Sequence, residues 1–513
     1  MERQYPAHPV PADLVPAAPT AAELALLAQL DAWFAAHRDE FIADLIDWVT
    51  YPSVSDDTQA APGAPFGPDV AAVFERVLAR AAELGFQTET HDGYAISVLG
   101  DPPSGAEEIG LASHLDVVPA GENWTIAPYE AFYRDGFVLG RGASDNKGPA
   151  LVDLYLLRAF RDLGINLQHR LRVIYGGAEE VGMADLEHYA AHYPVPRLSI
   201  ISDGGFPVNF AQKGNLIATI DFAAGPQLRG LKAGVAVNAV PATAGLVLAG
   251  LDPVTVLAAT DRLPADLRSR LSVTAATGGT HLLVRGQSGH AAFPENTLNA
   301  ITLLARALAD SGLLDDPADQ AAAVFLAQVL DTPWGDGTGT AIADDETGRL
   351  TQNGGIIAPY GDGLRLHIDI RYPVAADHET LLSALTRAAS GVGGQVQTVR
   401  HAFPVYIERE SPLVSLLQST FNTFAEVDSV PFSMGGGTHA RVLPNSITFG
   451  PGFGRDRVPV VNGVRTDSRP DFIPPENGFP HGPDEFVSID NLWRGFRIYA
   501  ITLIRLDKWL QHG

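Results

Sequence analysis

Five short segments of this sequence place acidic and imidazole side chains where apolar runs end. In ASHLDVVPAG, His114 and Asp116 stand two residues apart. A histidine there can ligate a metal while the aspartate holds its ring in the ligating tautomer, although a His beside an apolar run is equally an ordinary core or surface residue. In GRGASDNKGP, Asp145 lies in a glycine-flanked turn ahead of a helix, where its plain alternative is a helix N-cap. In YGGAEEVG, Glu179 and Glu180 follow an apolar run and two glycines. Adjacent side chains diverge, so one carboxylate could bind metal while the other faces a water; a solvated glutamate pair is the alternative. ISDGG puts Asp203 at the end of another run, and PHGPDEF puts His481 ahead of the final helix. Each signal alone is weak. Together they offer two histidines and three carboxylates suited to metal, plus one spare carboxylate, in a chain without cysteine and hence without thiolate sites or disulfides.

Such side chains must be delivered by a scaffold, and the apolar pattern supplies one. Val70, Val73, Phe74, Val77, Leu78, Ala81 and Leu84 recur at helical spacing over 68–85. Strand-like runs at 109–118, 171–175 and 198–202 alternate with a helix over 148–163, which predicts an α/β fold with a largely parallel sheet whose ligands gather at strand carboxyl ends. After Gly214 the character changes. Strand-like 216–222 and 281–285, a helix over 296–308, and alternating Leu364, Leu366, Ile368 and Ile370 predict an inserted α+β domain, followed by a helix over 378–389 and a return segment over 395–407. The boundaries are an N-terminal arm at 1–20, a first catalytic part at 21–213, the insert at 214–399 and a second catalytic part at 400–513, closed by a helix from about Asp490. Gly and Pro clustering between Gly450 and Pro483 predicts a long ordered loop.

Bulk composition narrows the function. The 513 residues exceed one hydrophobic core, and 46% hydrophobic with 19% charged residues is globular. Sixty acidic against 35 basic residues give a formal charge of −25, which repels phosphate backbones and anionic lipid. Neither nucleic acid nor membrane is expected as a partner. The Pro- and Ala-rich first twenty residues read as a flexible arm rather than a signal peptide, and the apolar stretch 498–506 is far short of the roughly 20 residues of a membrane span. A cytoplasmic protein is the expectation.

Taken in order, HLDVVPAG, GRGASDNKGP, GGAEEVG, SDGG, GQSGHA, IDIRYP, GGGTHAR and HGPDE resemble the PepV-like dipeptidases of the M20 metallopeptidase family, over about Leu27 to Leu510. The resemblance implies a zinc-peptidase-like catalytic domain with an inserted ferredoxin-like lid. It implies two Zn2+ per chain, with Co2+ or Mn2+ as alternatives. His114, Asp145 and Asp203 would hold one ion, and Asp145, Glu180 and His481 the other. Asp145 would then bridge both, Asp116 would orient His114, and Glu179 would be the general base and acid. In the insert, His290 is implied as the oxyanion stabiliser and Asn238 and Arg371 as binders of the substrate carboxylate, although an edge-strand Arg and a turn-capping Asn explain the last two equally well. Gly436 and Gly437, with Gly435, would offer backbone N–H groups to an anion. Departures from the resemblance are Asn146 where a second Asp is common, His439 where a Tyr is common, and an unusually long stretch 453–479.

The function so implied is hydrolysis of dipeptides and other very short peptides with free termini, by a monomer. An N-acyl amino-acid deacylase or desuccinylase of the same family is the alternative. A peptide-binding protein without catalysis is disfavoured by the intact Glu179, and a dimetal phosphoesterase would call for basic residues near the site.

Overall fold

The computed structural model describes residues 5–6, 8–16, 18–101, 107–453, 458 and 460–512. The chain divides into two compact units, one of residues 1–210, 407–432 and 438–513, the other of residues 211–406 and 433–437.

The first unit is built on a mixed sheet. Its strands lie in the order Gln87–His91, Ala95–Leu99, Arg170–Gly176, Glu108–His114, Leu198–Ile201, Ser446–Phe449 and Val208–Gln212. The four strands from Arg170–Gly176 to Ser446–Phe449 are parallel, and the flanking pairs are antiparallel. The expected parallel sheet is therefore the centre, with antiparallel strands on both sides. The central strands are apolar on both faces, as strands covered twice must be: Ile109, Leu111, Ala112, Leu171, Val173 and Ile174 are all buried. Helices Ala21–Val49, Gly148–Asp162 and Ile489–Leu510 pack on one another through rings. Phe34 stacks on Trp493 at 4.0 Å, and Phe41 meets Tyr155 edge-on at 4.9 Å.

Local chemistry starts and stops these helices. Thr20 and Glu23 form a capping box at the start of the first helix, and Ser488 caps the last, accepting from Asn491 N–H. Among the first twenty residues, read above as a flexible arm, Tyr5 donates to the Ser446 carbonyl at 2.8 Å, His8 Nε2 lies 2.9 Å from the Trp509 carbonyl, and Leu14 is buried. In the stretch 453–479, residues 454–457 and 459 fall outside the described residues. Val460–Val461 and Val464–Arg465 form a short hairpin, and no regular strand or helix follows until Phe486–Ser488.

The second unit carries an antiparallel sheet in the order Leu271–Ala276, Gly279–Arg285, Thr243–Ala249, Lys232–Ala233, Thr351–Tyr360, Gly363–Tyr372, Gly214–Ala223 and Gln395–Ala402. That is more strands than a single β-α-β-β-α-β ferredoxin-like unit holds. Alternation sets its core: Leu216, Ala218, Ile220 and Phe222 on one strand and Leu364, Leu366, Ile368 and Ile370 on the next are buried against Leu304, Leu308, Leu326 and Leu385 of the covering helices. Among the described residues no helix is long and apolar enough to cross a membrane.

Candidate metal centre

Three adjacent parallel strands end at one edge of the first unit's sheet, and each feeds that edge with acid or imidazole. His114 is the last residue of its strand, Glu179 and Glu180 follow Gly176, and Asp203 follows Ile201. Asp145 arrives from the Ala143–Lys147 turn and His481 from the loop before Phe486. The result is two triads with their ligand atoms within 4.8 Å: His114, Asp145 and Asp203, and Asp145, Glu180 and His481. Asp145 belongs to both. Its Oδ1 lies 3.1 Å from His114 Nε2, and its Oδ2 lies 3.2 Å from His481 Nε2. Asp203 Oδ1 is 3.6 Å from His114 Nε2, and Glu180 Oε1 is 3.0 Å from His481 Nε2.

The arrangement is held by buried acceptors. The Nδ1–H of the fully buried His114 donates to the Asp116 carbonyl at 3.0 Å, with the Asp116 carboxylate at 3.3 Å. Nε2 is thereby turned toward Asp145 and Asp203, in the tautomer that ligates. The same Asp116 carboxylate accepts the backbone N–H groups of Glu179 and Glu180, each at 3.1 Å. One side chain thus registers three candidate residues. Glu179 belongs to neither triad and is buried beside them.

Several further side chains support the triads. Glu485 accepts from Gly142, Ser144 and Asp145 N–H at 3.0, 2.8 and 3.0 Å and pairs with Arg141 at 2.6 Å, fixing the turn that bears Asp145. Asp484 takes Thr125 N–H at 2.8 Å and Asn477 Nδ2 at 2.7 Å, anchoring the loop that carries His481. His481 and Asp484 have φ of 62° and 53°, left-handed conformations that cost about 1–3 kcal/mol each, which the Asp484 bonds offset. Asn146 donates to Asp203 at 2.6 Å and to the Ser202 carbonyl at 3.0 Å, so its amide braces Asp203 where a second Asp would repel it. His439 pairs with the buried Asp185, which in turn accepts Ala178 N–H at 2.9 Å. Gly176 makes room for that pair: a Cβ there would sit 2.1 Å from Asp185 Oδ2. Glu485 and Asp484 lie in the PHGPDEF motif, but nothing in the spacing separates ligand from support.

The residues implied in the insert lie in the second unit. Asn238 and His290 are exposed neighbours: the Ala291 N–H donates to the Asn238 carbonyl at 2.9 Å, and His290 bridges to Ala239. His290 Nδ1 accepts from Ala292 N–H at 3.1 Å, so the neutral ring carries its proton on Nε2. Arg371 is engaged by Asp369 through Nε at 2.8 Å and Nη2 at 2.9 Å. Gly435, Gly436 and Gly437 lie outside the left-handed region, so their turn does not demand glycine; at Gly435 a Cβ would meet Ala292 Cβ at 3.2 Å.

Charge is the dominant property of the centre. Burial opposes a charge on His114 and His481, yet the surrounding carboxylates hold His114 well above the usual range and push His481 up to about 11. Burial likewise opposes ionisation of Asp145, but contacts to the two histidines hold it well below the usual range. Burial and Asp203 push Glu179 well up, while burial and Asp145 push Glu180 up to about 7 against the pull of His481. The donor set of imidazole nitrogen and carboxylate oxygen, held in two triads with a shared carboxylate, suits zinc or a similar divalent ion. In the metal-free site the surrounding carboxylates thus favour protons on the two imidazoles. Metal uptake must therefore expel them, and affinity must rise with pH through about 7, where Glu180 loses its proton. Zinc titration calorimetry in buffers of differing ionisation enthalpy measures this: proton release on binding is expected, and heats independent of buffer would contradict the protonated metal-free site.

Comparisons with known proteins place the chain in a family. The family model described as peptidase family M20/M25/M40 matches residues 110–505. A Bacillus subtilis (strain 168) protein named "Putative dipeptidase YtjP" is 30% identical over 483 residues, 92% of this chain and 98% of that one. The Beta-Ala-Xaa dipeptidase of Lactobacillus delbrueckii subsp. lactis is 26% identical over 487 residues, covering 92% and 97%. In fold, the chain is similar to human carnosine dipeptidase 1, with a TM-score of 0.57 at 15% identity over 96% of this chain and all of that one. With its ordered motifs, its strand-end acids and a family match over most of its length, this chain belongs to peptidase family M20.

Proposed function

We propose that this chain is a dinuclear zinc dipeptidase. The observation that carries the reading is Asp145: one carboxylate shared by two His-carboxylate triads, with Glu179 beside them and outside both. Relatives named as dipeptidases, matched over nearly their whole length, support the substrate class.

In this reading His114, Asp145 and Asp203 hold one zinc, and Asp145, Glu180 and His481 the other. Zinc bound there would polarise the scissile carbonyl and lower the pKa of a bound water. Glu179 takes a proton from the attacking water as the water oxygen adds to the carbonyl carbon. It then passes the proton to the nitrogen as the carbon–nitrogen bond breaks, so that acid and free amine leave. A carboxylate buried beside the triads and belonging to neither is placed to hold that proton between the two steps. His290, protonated on Nε2, is the oxyanion donor, and Arg371 and Asn238 receive the carboxylate of the substrate. Asp369 takes Arg371 Nε and Nη2 and leaves Nη1 for that task.

Two measurements test the reading. Glu179→Gln is expected to keep its metals and lose about 10²–10⁴-fold in kcat. Glu180→Gln is expected to lose metal affinity first, and an exchange of the two phenotypes would reverse the assigned roles. A dipeptide with free termini is expected to be cleaved, and its C-terminal amide about one to two orders of magnitude less efficiently in kcat/KM, since a charge-assisted hydrogen bond contributes roughly 1.5–3 kcal/mol. Equal hydrolysis of the two would remove the carboxylate clamp.

A further inference from the structure

Behind the triad of His114, Asp145 and Asp203 lies a carboxyl that the proposed chemistry does not use. Asp153 is fully buried on the helix Gly148–Asp162. Among the described residues it has no ion-pair partner within 4.0 Å. Its bonds come instead from two hydroxyls: Ser113 donates to Oδ2 at 3.1 Å and Ser202 to Oδ1 at 2.9 Å. Both serines are buried as well.

The position of these partners is the informative part. Ser113 immediately precedes His114, and Ser202 immediately precedes Asp203. Their two strands are parallel neighbours, with Ala112 opposite Ile201. The helix that carries Asp153 begins at Gly148, directly after the turn that bears Asp145. One carboxyl therefore ties together the three backbone segments that deliver the three members of one triad. Tyr499 donates to Ser202 Oγ at 3.3 Å and also to the Phe449 carbonyl, so the network is fastened to the last helix too. A polar group left unpaired in such a core is destabilising. A leucine would fill the same place without that requirement, so fixing the fold alone gives little reason for an aspartate.

We propose that Asp153 is a positioning residue for the metal site, setting through Ser113 and Ser202 the spacing of His114 and Asp203 about Asp145. The proposal rests on the reading of this triad as a zinc site. Burial pushes the Asp153 carboxyl well above its usual range, against the pull of the two serine hydroxyls. Among the described residues its hydrogen bonds reach the segments of His114 and Asp203, which serve one triad only, and none reaches those of Glu180 and His481.

The test is zinc titration into the metal-free protein, for the wild type, Asp153→Leu and the double variant Ser113→Ala/Ser202→Ala, with thermal unfolding followed in parallel. The wild type is expected to take up two zinc ions. Each variant is expected to lose about 10–100-fold in affinity for one of them and to keep the other, as supports of metal ligands typically do. Asp153→Asn, which retains an acceptor oxygen, should fall between. If Asp153→Leu does not fold, the serine pair, which removes only two hydroxyls, decides the matter. Two affinities unchanged in folded variants, or both weakened alike in step with the melting temperature, would overturn the positioning role. Fewer than two zinc ions in the wild type would instead overturn the metal reading beneath it.

Discussion

The centre depends on one electrostatic constraint. Asp145, Glu180, Asp203 and Glu179 converge with two histidines at the edge of a sheet, in a space where ligand atoms of each triad lie within 4.8 Å. Carboxylates brought so close repel unless positive charge stands among them. Without metal, the histidines supply it by holding protons, which is why burial fails to neutralise His114 and His481. In the proposed dinuclear centre Asp145 would resolve the same conflict for two cations, since one anionic group facing both triads would screen the repulsion between their occupants.

Holding that arrangement falls to a second set of acids, each of which spends its oxygens on backbone N–H groups. Asp116 takes those of Glu179 and Glu180, Glu485 those of Gly142, Ser144 and Asp145, Asp484 that of Thr125, and Asp185 that of Ala178. The site therefore has two layers of carboxylate with distinct duties. The inner layer faces ligand nitrogens and the outer layer fixes loops that no helix or strand would hold. Loops so fixed can carry left-handed residues such as His481 that regular structure excludes.

Much of the inner layer was legible in the sequence, because an acid or histidine at the end of an apolar run stands out against its neighbours. His114, Asp203 and the Glu179–Glu180 pair emerge from runs that fold as adjacent parallel strands, so strand order alone brings them together. The outer layer was not legible. Glu485 and Asp484 follow His481 within four residues, and neither spacing nor type tells a ligand from a brace. The first helix, Ala21–Val49, announces itself only through the capping signature of Thr20 and Glu23. Arg371 illustrates another limit: its partner Asp369 lies two residues away on the same face of one strand, a pairing that period-2 geometry makes visible but that a motif match passes over. Asp153, by contrast, left a trace, as a lone acid within the apolar run of a helix that turned out to be almost wholly buried.

The proposed centre depends most heavily on Asp145 serving both triads, and the metal content of purified Asp145→Ala measures that directly. Elemental analysis after zinc loading and desalting gives the number of ions per folded chain, with the wild type as reference. A shared ligand predicts two zinc ions in the wild type and the loss of both from the variant, since each triad forfeits a donor and the remaining ligands lose their common screen. A variant that folds and retains two zinc ions per chain would contradict the shared-ligand centre.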